Sequence, residues 1–290
     1  MRLPVSVVIP TRDRAWCLPR ALRSVLGQSR PPAEILVIDD GSLDGTRRLV
    51  RAAFPEVRYF YQPASGVSRA RNHGIERARQ PWIALLDSDD AWLPHKLAKQ
   101  WQALQRTPRP LAHTDEIWIR DGRLLNQPRH LRRARAGGWV FENCLERCAI
   151  SPSSALFPKS LWRETGGFDE RLPACEDYDF WLRITWRHPV LYVAEPLLVK
   201  YGGHGDQLSR RIPAMDRYRI QALLKLLGRK EVTGASRRAV LAALLEKAHL
   251  YAQGALKRGK IREASRYWKL CRTTVLQLRS SSPSRPRPGL

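Results

Sequence analysis

The sequence predicts an α/β protein in which helices flank a mostly parallel sheet, followed by an all-helical C-terminal extension. Three observations support this prediction. Up to Arg106, short apolar segments alternate with amphipathic ones at a spacing typical of consecutive β-α units. Two of the apolar segments end in clustered carboxylates, at the position where an open sheet binds its ligands. Beyond Pro213 only the helical spacing of apolar residues remains.

The first half of the chain contains four predicted strands, each followed by a predicted helix. The first strand is rich in β-branched residues, and the first helix is an apolar stripe at helical spacing that stops at Gly27. The predicted strands are 3–9, 34–39, 57–61 and 82–86, and the predicted helices are 18–26, one that begins near Asp44, 66–79 and 94–106.

The regular alternation ends at about Leu111, and we expect domain boundaries on this basis. A catalytic or binding domain would span 1–210, with halves at 1–110 and 111–210, followed by a basic helical extension at 211–279 and a disordered tail at 280–290. The further predicted elements are a hairpin at 117–125, an Arg-rich loop at 126–138, a strand at 151–157, a turn at 166–169, a helix at 176–186, strands at 190–193 and 197–201, and a helical hairpin of 248–255 and 261–271 around Gly259.

Composition favours a cytoplasmic protein. Hydrophobic residues make up 43% of the chain, which is ordinary for a soluble protein, and no apolar run approaches the roughly 18–20 residues of a membrane span. The apolar start of the chain is too short for an export signal. The five cysteines are scattered, which fits free thiols in a reducing compartment. They are Cys17, Cys144, Cys148, Cys175 and Cys271.

The net charge of +24 is unevenly distributed. Residues 211–290 hold 19 Lys and Arg against 4 Asp and Glu, which gives that segment a net charge of +15. Such a surface attracts nucleic acid, anionic lipid headgroups or phosphorylated small molecules. Charge alone does not choose among these partners.

An acidic cluster follows the fourth predicted strand. Three carboxylates, Asp87, Asp89 and Asp90, fall within four residues, and unpaired carboxylates so close together resist ionising at the same time. A divalent cation removes this conflict, and oxygen ligands suit Mg²⁺ or Mn²⁺. A solvated acidic turn is the alternative interpretation.

Several other phosphate- or metal-binding classes lack their signals. An EF-hand is disfavoured because Trp92 stands where that loop needs Gly and Ala98 where it needs Glu. Neither GxxxxGK[ST] nor GxGxxG follows a predicted strand, which disfavours P-loop ATPases and dinucleotide oxidoreductases. Strand-end carboxylates with a metal are another way to hold a diphosphate.

Seven short motifs occur in order between residues 3 and 210. Together they resemble family 2 of the inverting, nucleotide-sugar-dependent glycosyltransferases, and they imply the Rossmann-like GT-A fold, with a nucleotide-binding first half and an acceptor-binding second half. The motifs are VSVVIPTRDR (5–14), IDDGSLDGT (38–46), RNHGI (71–75), LLDSDD (85–90), GGFDE (166–170), EDYDFWLR (176–183) and GGHGDQLS (202–209).

The resemblance implies a donor site at the ends of the first two strands. The loop after the first strand would lie along the base, which here means Pro10, Thr11 and Arg12. Asp40, with Asp39 beside it, would contact the base or ribose, and a carboxylate that accepts from a uracil N–H favours a UDP-linked donor.

Alternative interpretations of the donor residues remain open. The acids Asp39 and Asp40 could simply lie near a helix cap at Asp44. Arg71, two residues before His73, matches an arginine that faces the base or a phosphate, and an exposed helix arginine is the alternative.

The resemblance also implies a divalent cation, Mn²⁺ or Mg²⁺, as cofactor. Asp87-Ser88-Asp89 is similar to the family's DxD motif, so Asp87, with Ser88 in the same motif, would face ribose or diphosphate. Asp89 and Asp90 would bind the metal. His204, between glycines that permit close approach, would meet the metal or diphosphate, and its imidazole favours Mn²⁺. A structural histidine is the alternative.

An inverting transfer needs a general base for the acceptor hydroxyl. The family's base is the Asp of an E-D pair at a helix start, which here is Asp177 with Glu176 adjacent. Two acids that favour a helix N-terminus are the alternative. Trp181 and Phe180 line the acceptor pocket or pack in the core. The residues expected to hold the leaving phosphate, or else to be solvated, are Gln207, Ser209, Arg210 and Arg211.

The leading hypothesis is therefore a metal-dependent inverting glycosyltransferase. Its partners would be a nucleotide-sugar donor and a saccharide, lipid-linked saccharide or protein acceptor, with peripheral contact of the basic extension to an anionic inner membrane face. The second hypothesis is a nucleic-acid-binding protein without sugar transfer. It explains the basic segment but not the clustered acids, which repel phosphate in the absence of a cation, so we expect no nucleic acid partner.

Overall fold

The computed structural model describes residues 1–126, 136–205, 207 and 211–280. The chain divides into two compact units, Met1–Arg211 and a second unit that begins at Ile212. Most of the predicted Arg-rich loop at 126–138 and of the predicted tail at 280–290 lies outside the described residues.

Four parallel strands form the first half of the sheet, in the spatial order β3-β2-β1-β4. All four predicted strands and the four helices that follow them are confirmed, with boundaries that differ by no more than two residues. The strands are β1 (Leu3–Thr11), β2 (Pro32–Asp40), β3 (Arg58–Gln62) and β4 (Trp82–Leu85), and the helices are α1 (Leu18–Leu26), α2 (Thr46–Ala53), α3 (Val67–Arg77) and α4 (Lys96–Arg106).

The second half continues the same sheet with mixed strand directions. β4 pairs antiparallel with β8, and the order continues through β6 and β9 to β5. Within the described part of this half, β6 and β9 pair in parallel and the other pairs are antiparallel. The elements are β5 (Ala91–Trp92), β6 (Ala112–Arg120), β7 (Arg123–Leu124), α5 (Phe141–Glu146), β8 (Leu156–Pro158), α6 (Lys159–Thr165), α7 (Glu176–Thr185) and β9 (Leu191–Gly202).

Two strand predictions in this half are corrected by the structure. The segments 190–193 and 197–201 belong to one strand, β9, because Pro196 interrupts the ladder at a register shift without ending the strand. Proline lacks the N–H that the ladder needs, so the irregularity falls where the sequence pattern breaks. The predicted strand at 151–157 begins instead as a short 3₁₀ turn, Pro152–Ser154, ahead of β8.

The core of the first unit is formed where helix α1 covers β1. The apolar stripe of α1 is fully buried against the alternate apolar residues of β1, and each such side chain contributes about 1.5–3 kcal/mol through burial. On the opposite side, α3 approaches the sheet closely at Gly74. A Cβ there would lie 2.4 Å from Cγ1 of Val8, so only glycine fits.

The second unit is helical, with α8 (Asp216–Leu227), α9 (Gly234–Lys257) and α10 (Ile261–Ser280). Gly259, with φ of +72°, makes the turn of the predicted α9–α10 hairpin. Across it Tyr251 donates its hydroxyl to Glu263 at 2.7 Å and contacts the ring of Tyr267. In the part of the chain that the structure describes, no helix is both long and apolar enough to span a membrane.

Candidate active site

The two acidic clusters lie at the same edge of the sheet, as expected. β1 is hydrogen-bonded to β2 on one side and to β4 on the other, all three in parallel, so their carboxyl ends are neighbours. Thr11 at the end of β1 pairs in register with Asp39, and the segment 87–90 follows β4. The carboxyl edge of these strands is where an open α/β sheet binds ligands.

The first acid pair is buried and hydrogen-bonded within the protein. Asp39 accepts the N–H of Ser42 at 2.8 Å through Oδ1 and the hydroxyl of Tyr59 at 2.5 Å through Oδ2. Burial, with the bond to Asp39, raises the pKa of the Tyr59 hydroxyl well above its ordinary value, so this bond is kept at neutral pH. Asp39 therefore fixes the turn after β2.

Asp40 holds the approach to helix α3. Its Oδ1 accepts from Gln62 Nε2 at 2.7 Å and from the N–H of Ser65 at 2.8 Å, and its Oδ2 accepts the N–H of Gly66 at 2.8 Å. The alternative of a helix cap at Asp44 is not formed as such: the N-cap of α2 is Gly45, without a side-chain cap, and Asp44 accepts the backbone N–H of Thr46 at 2.9 Å from one residue earlier. The carboxylates of Asp39 and Asp40 are thus already hydrogen-bonded within the protein. A contact to the base would have to use their remaining lone pairs.

The loop after β1 is tied to the loop after β2. The N–H of Asp13 donates to Ser42 Oγ at 2.8 Å, and Asp13 Oδ1 accepts the N–H of Leu43 at 2.7 Å. Of the three residues predicted to lie along the base, Pro10 and Thr11 are buried and Arg12 is exposed. Thr11 Oγ1 is buried without a hydrogen-bond partner among the described residues.

The segment after β4 divides its carboxylates between two directions. Asp89 Oδ2 lies 2.9 Å from Arg14 Nη1 and 3.0 Å from His204 Nε2. Asp90 turns inward, where Ser153 Oγ donates to its Oδ2 at 2.6 Å and the N–H of Tyr201 donates to its Oδ1 at 3.3 Å. Burial raises the pKa of Asp90 to about 8.

The predicted metal set is therefore only partly assembled. In the described ranges no group of three or more His, Cys, Asp or Glu side chains is arranged to hold a metal. Asp90, predicted as a ligand, is buried and faces Ser153 instead, with Lys200 Nζ 3.8 Å from its Oδ2, and these partners compensate the buried carboxyl group. Asp89 and His204 do come together.

The pair Asp89–His204 fits a divalent cation. A carboxylate oxygen and an imidazole nitrogen are both ligands of Mn²⁺, and the 3.0 Å between Oδ2 and Nε2 suits neighbouring positions of an octahedral ion with ligands at about 2.1 Å. The remaining positions would be open to phosphate oxygens. Trp16 packs edge-on against the imidazole of His204, with 5.5 Å between the ring centroids, and so supports the position of that ring.

Arg71 lies between the two halves of the first unit. Its Nη2 donates to Asp87 Oδ1 at 2.7 Å and its Nη1 contacts Glu176. Burial alone would lower the pKa of Arg71, but the carboxylates of Asp87 and Glu176 outweigh it and raise the pKa, so the guanidinium stays charged. Arg71 was predicted to face the base or a phosphate or to be exposed; the structure buries it in this bridge.

The predicted catalytic pair at the start of α7 separates into two environments. Glu176 is buried against Arg71, and burial raises its pKa while Arg71 opposes the rise. Asp177 is half-buried; its Oδ1 accepts the N–H of Tyr178 at 2.7 Å and its Oδ2 accepts from Cys148 Sγ at 3.1 Å. Cys175, just before the pair, adopts the left-handed conformation with φ of +59°.

The other residues predicted for the acceptor pocket and the leaving phosphate differ in their surroundings. Phe180 and Trp181 are core residues, at 0% and 1% exposure, so they do not line a pocket. Gln207 accepts the N–H of Gly203 at 3.0 Å. Ser209 and Arg210, predicted to hold the leaving phosphate, lie outside the described residues.

Sequence reasoning missed the residue that links the acidic segment to the second half. Ser153 Oγ accepts the N–H of Asp87 at 3.0 Å and donates to Asp90. It lies more than 60 residues away in sequence, and no local pattern marks it. Arg14 belongs to the first motif and could have been assigned from its position beside the donor loop.

The family comparison gives one clear match. Residues 6–163 match the family model described as glycosyl transferase family 2. An uncharacterized glycosyltransferase of Rickettsia conorii is 30% identical over 218 residues, which cover 72% of this chain and 35% of that protein. The chain spans about a third of the length of this relative and of similar ones from Rickettsia felis and Rickettsia bellii.

Solved structures share the fold. S. aureus TarS 1–349 in complex with UDP-GlcNAc has a TM-score of 0.66 at 15% identity, covering 98% of this chain and 93% of that chain. The mannosyltransferase PcManGT from Pyrobaculum calidifontis, in complex with GDP-Man and Mn²⁺, has a TM-score of 0.60 at 16% identity, covering 97% and 87%. The predicted GT-A type α/β fold is confirmed.

Proposed function

Because the chain belongs to glycosyl transferase family 2, we propose that it transfers a sugar from a UDP-linked donor to an acceptor hydroxyl with inversion. The observation that carries this proposal is the ion-pair bridge at Arg71, which contacts Asp87 after β4 and Glu176 on the helix that carries Asp177. This bridge joins the edge of the sheet suited to a nucleotide to the helix that carries the proposed base. The UDP-GlcNAc complex of TarS, a protein with the same fold, supports the choice of nucleotide.

The donor diphosphate would bind beside Asp89 and His204. These two side chains would hold a divalent cation, and Mn²⁺ suits the mixed oxygen and nitrogen donors better than Mg²⁺. When bound, such a cation would supply positive charge to the negative charge that develops on the departing diphosphate. The Mn²⁺ bound with GDP-Man in PcManGT supports this assignment. Arg14, which pairs with Asp89 at 2.9 Å, places a positive charge beside this position.

Asp177 would act as the general base. As the acceptor oxygen bonds to the anomeric carbon, the bond from that carbon to the diphosphate breaks, and the electron pair leaves with the nucleoside diphosphate. The hydroxyl proton passes to Asp177. Because the acceptor attacks in line, on the face opposite the departing diphosphate, an α-linked donor gives a β-linked product. Glu176, held by Arg71, would orient the start of the helix rather than accept the proton.

Two kinds of polyanion, an anionic membrane and a nucleic acid, match the positive charge of the second unit. We propose that the positive charge of 211–290 contacts an anionic membrane, the kind of surface that would carry a lipid-linked acceptor. Flotation with acidic liposomes tests this, and binding that is unchanged without 211–290 would contradict it. Salt-sensitive retention of oligonucleotides without any sugar transfer would favour the alternative of a nucleic-acid-binding protein.

The test of the main proposal is a donor panel. UDP-GlcNAc, UDP-glucose, UDP-galactose and GDP-mannose are incubated with the protein and Mn²⁺, with water or added saccharides as acceptors, and nucleoside diphosphate release is measured. We expect release from a UDP-linked donor that EDTA abolishes and Asp177→Asn removes without loss of donor binding. Absence of Mn²⁺-dependent binding and release across the panel would contradict the proposal.

A further inference from the structure

A cysteine thiol lies against the proposed base. Cys148 Sγ donates to Asp177 Oδ2 at 3.1 Å, a short contact for a sulfur donor, while the N–H of Tyr178 donates to Oδ1 at 2.7 Å. Cys148 follows helix α5, which packs against α7, so the contact joins two separate elements. Each oxygen of Asp177 therefore has one donor from the protein.

We infer that Cys148 is a positioning residue that holds the carboxylate of Asp177 in the plane needed to accept the proton of the acceptor hydroxyl. This inference rests on the proposed function, in which Asp177 is the base. A side chain on the first turn of a helix can rotate about its χ angles. Donors on both oxygens fix its plane and leave a further lone pair on each oxygen for the acceptor.

The thiol suits this role because it remains protonated. Burial, and then the negative charge of Asp177, raise the pKa of Cys148 well above its ordinary value, so Sγ is a donor throughout the neutral range. A thiol is also a weak donor, so it orients the carboxylate without competing strongly for the proton that the carboxylate must receive.

A second hydrogen-bond acceptor lies near the thiol of Cys148. Cys148 Sγ also lies 3.4 Å from the carbonyl oxygen of Ile150. The thiol has one hydrogen and prefers the ionised carboxylate over the neutral carbonyl. After Asp177 has taken up a proton, the thiol can donate to the carbonyl oxygen of Ile150 instead. The thiol therefore has an acceptor both before and after the proton transfer.

Three variants test the inference on the donor panel. Cys148→Ala is expected to lower kcat by about 10-fold to 100-fold with an unchanged KM for the donor, and Cys148→Ser, which restores a hydrogen-bond donor, is expected to recover most of this loss. The control is Cys144→Ala, because Cys144 is a more deeply buried thiol four residues earlier that bonds to Thr185 instead of Asp177. It should stay within about 2-fold of the unmodified protein.

An infrared measurement reports the contact without any substrate. The S–H stretching band that disappears in Cys148→Ala is expected at lower frequency than the band lost in Cys144→Ala, and Asp177→Asn should move it upward. The inference is overturned if Asp177→Asn leaves the frequency of this band unchanged. It is also overturned if Cys148→Ala keeps the kcat of the unmodified protein. Equal losses of kcat in Cys148→Ala and Cys148→Ser, each with a lowered unfolding midpoint, would indicate a purely structural role and also overturn it.

Failure of the proposed function has a different signature. If Asp177→Asn keeps full turnover, or the unmodified protein turns over no donor, the base assignment fails whatever the cysteine variants do. If Asp177→Asn is inactive while Cys148→Ala retains normal kcat and KM, the base assignment stands and the positioning role of Cys148 is wrong.

Discussion

Arg71 Nη2 donates to Asp87 Oδ1 at 2.7 Å, and this ion pair is extended on the other side of the guanidinium by Glu176. Glu176 lies 105 residues beyond Arg71 in the sequence, so the three side chains fasten the segment after β4 to the start of α7. A charge pair that is removed from water is costly to break, because its partners are left uncompensated. The bridge therefore makes the site depend on one arginine.

Replacement of Arg71 by methionine tests this dependence. Arg71→Met leaves Asp87 and the buried Glu176 without their shared cation, and we expect a loss of about 3–5 kcal/mol in the free energy of unfolding, measured by urea denaturation. The control is Arg69→Met, which removes an exposed ion pair with Glu170 and should cost no more than about 1 kcal/mol. Similar losses in both variants would contradict the assignment of the bridge.

The metal assignment predicts weaker Mn²⁺ binding in two variants. Asp89→Asn and His204→Gln each remove one proposed ligand, and each should raise the Kd for Mn²⁺ in the presence of UDP by about 10-fold or more. The free Mn²⁺ signal in electron paramagnetic resonance measures this directly. The control is His95→Gln, which removes an exposed imidazole that bonds to Ser29 instead of Asp89. An unchanged Kd for Mn²⁺ in both site variants would contradict the assignment of Asp89 and His204 as ligands of a cation.

The buried Lys96 predicts a pH dependence of stability. Burial lowers the pKa of Lys96 well below its usual 10.5, although Gln100 Oε1 accepts from its Nζ at 2.7 Å. The unfolded chain then binds more protons than the native one between the two pKa values, so the contribution of Lys96 to stability is present above 10.5 and is lost as the pH falls through the native pKa.

Lys96→Met should remove this dependence. Between pH 7 and 9 the difference in unfolding free energy, variant minus unmodified protein, should shrink with rising pH by as much as about 1.4 kcal/mol per pH unit. Urea denaturation at several pH values measures it. Lys99→Met, at an exposed position of the same helix, is the control, and a pH-independent difference for Lys96→Met would show that this lysine is charged in the native state.

Two glycines in helices predict opposite effects of alanine. Gly74→Ala places a Cβ 2.4 Å from Val8 and 2.9 Å from Ile38, so overpacking should cost about 1–3 kcal/mol. Gly254→Ala meets only the flexible end of Arg258 at 3.1 Å and should stabilise α9 by up to about 1 kcal/mol. Thermal unfolding of each variant, with a lower and a higher midpoint respectively, checks the pair.

The sequence was sufficient for the parallel half of the fold because its signals are local. A β-branched run such as that of β1, followed by an apolar stripe that stops at Gly27, is decided within a few residues. The mixed half depends on pairings that no short pattern encodes. Pro196 divides the apolar pattern of β9, although the strand is continuous across it.

The site shows the same division. The acids after β2 and β4 could be placed at one edge from the parallel topology alone. Which way each carboxylate turns could not be predicted, because this depends on partners far away in sequence. Asp90 faces Ser153, and Glu176 faces Arg71, since both acids are buried and each is compensated by whichever group the tertiary fold brings there.

The position of β4 between β1 and β8 has a consequence for how such a chain can be divided. Both edges of β4 carry ladder hydrogen bonds, one set from each half. A fragment truncated after α4 would expose one side of β4 as a bare, apolar edge, which is a template for aggregation. The two halves are therefore inseparable pieces of a continuous sheet, and exchange of surface loops, rather than recombination of halves, is the route by which this scaffold can acquire new specificities.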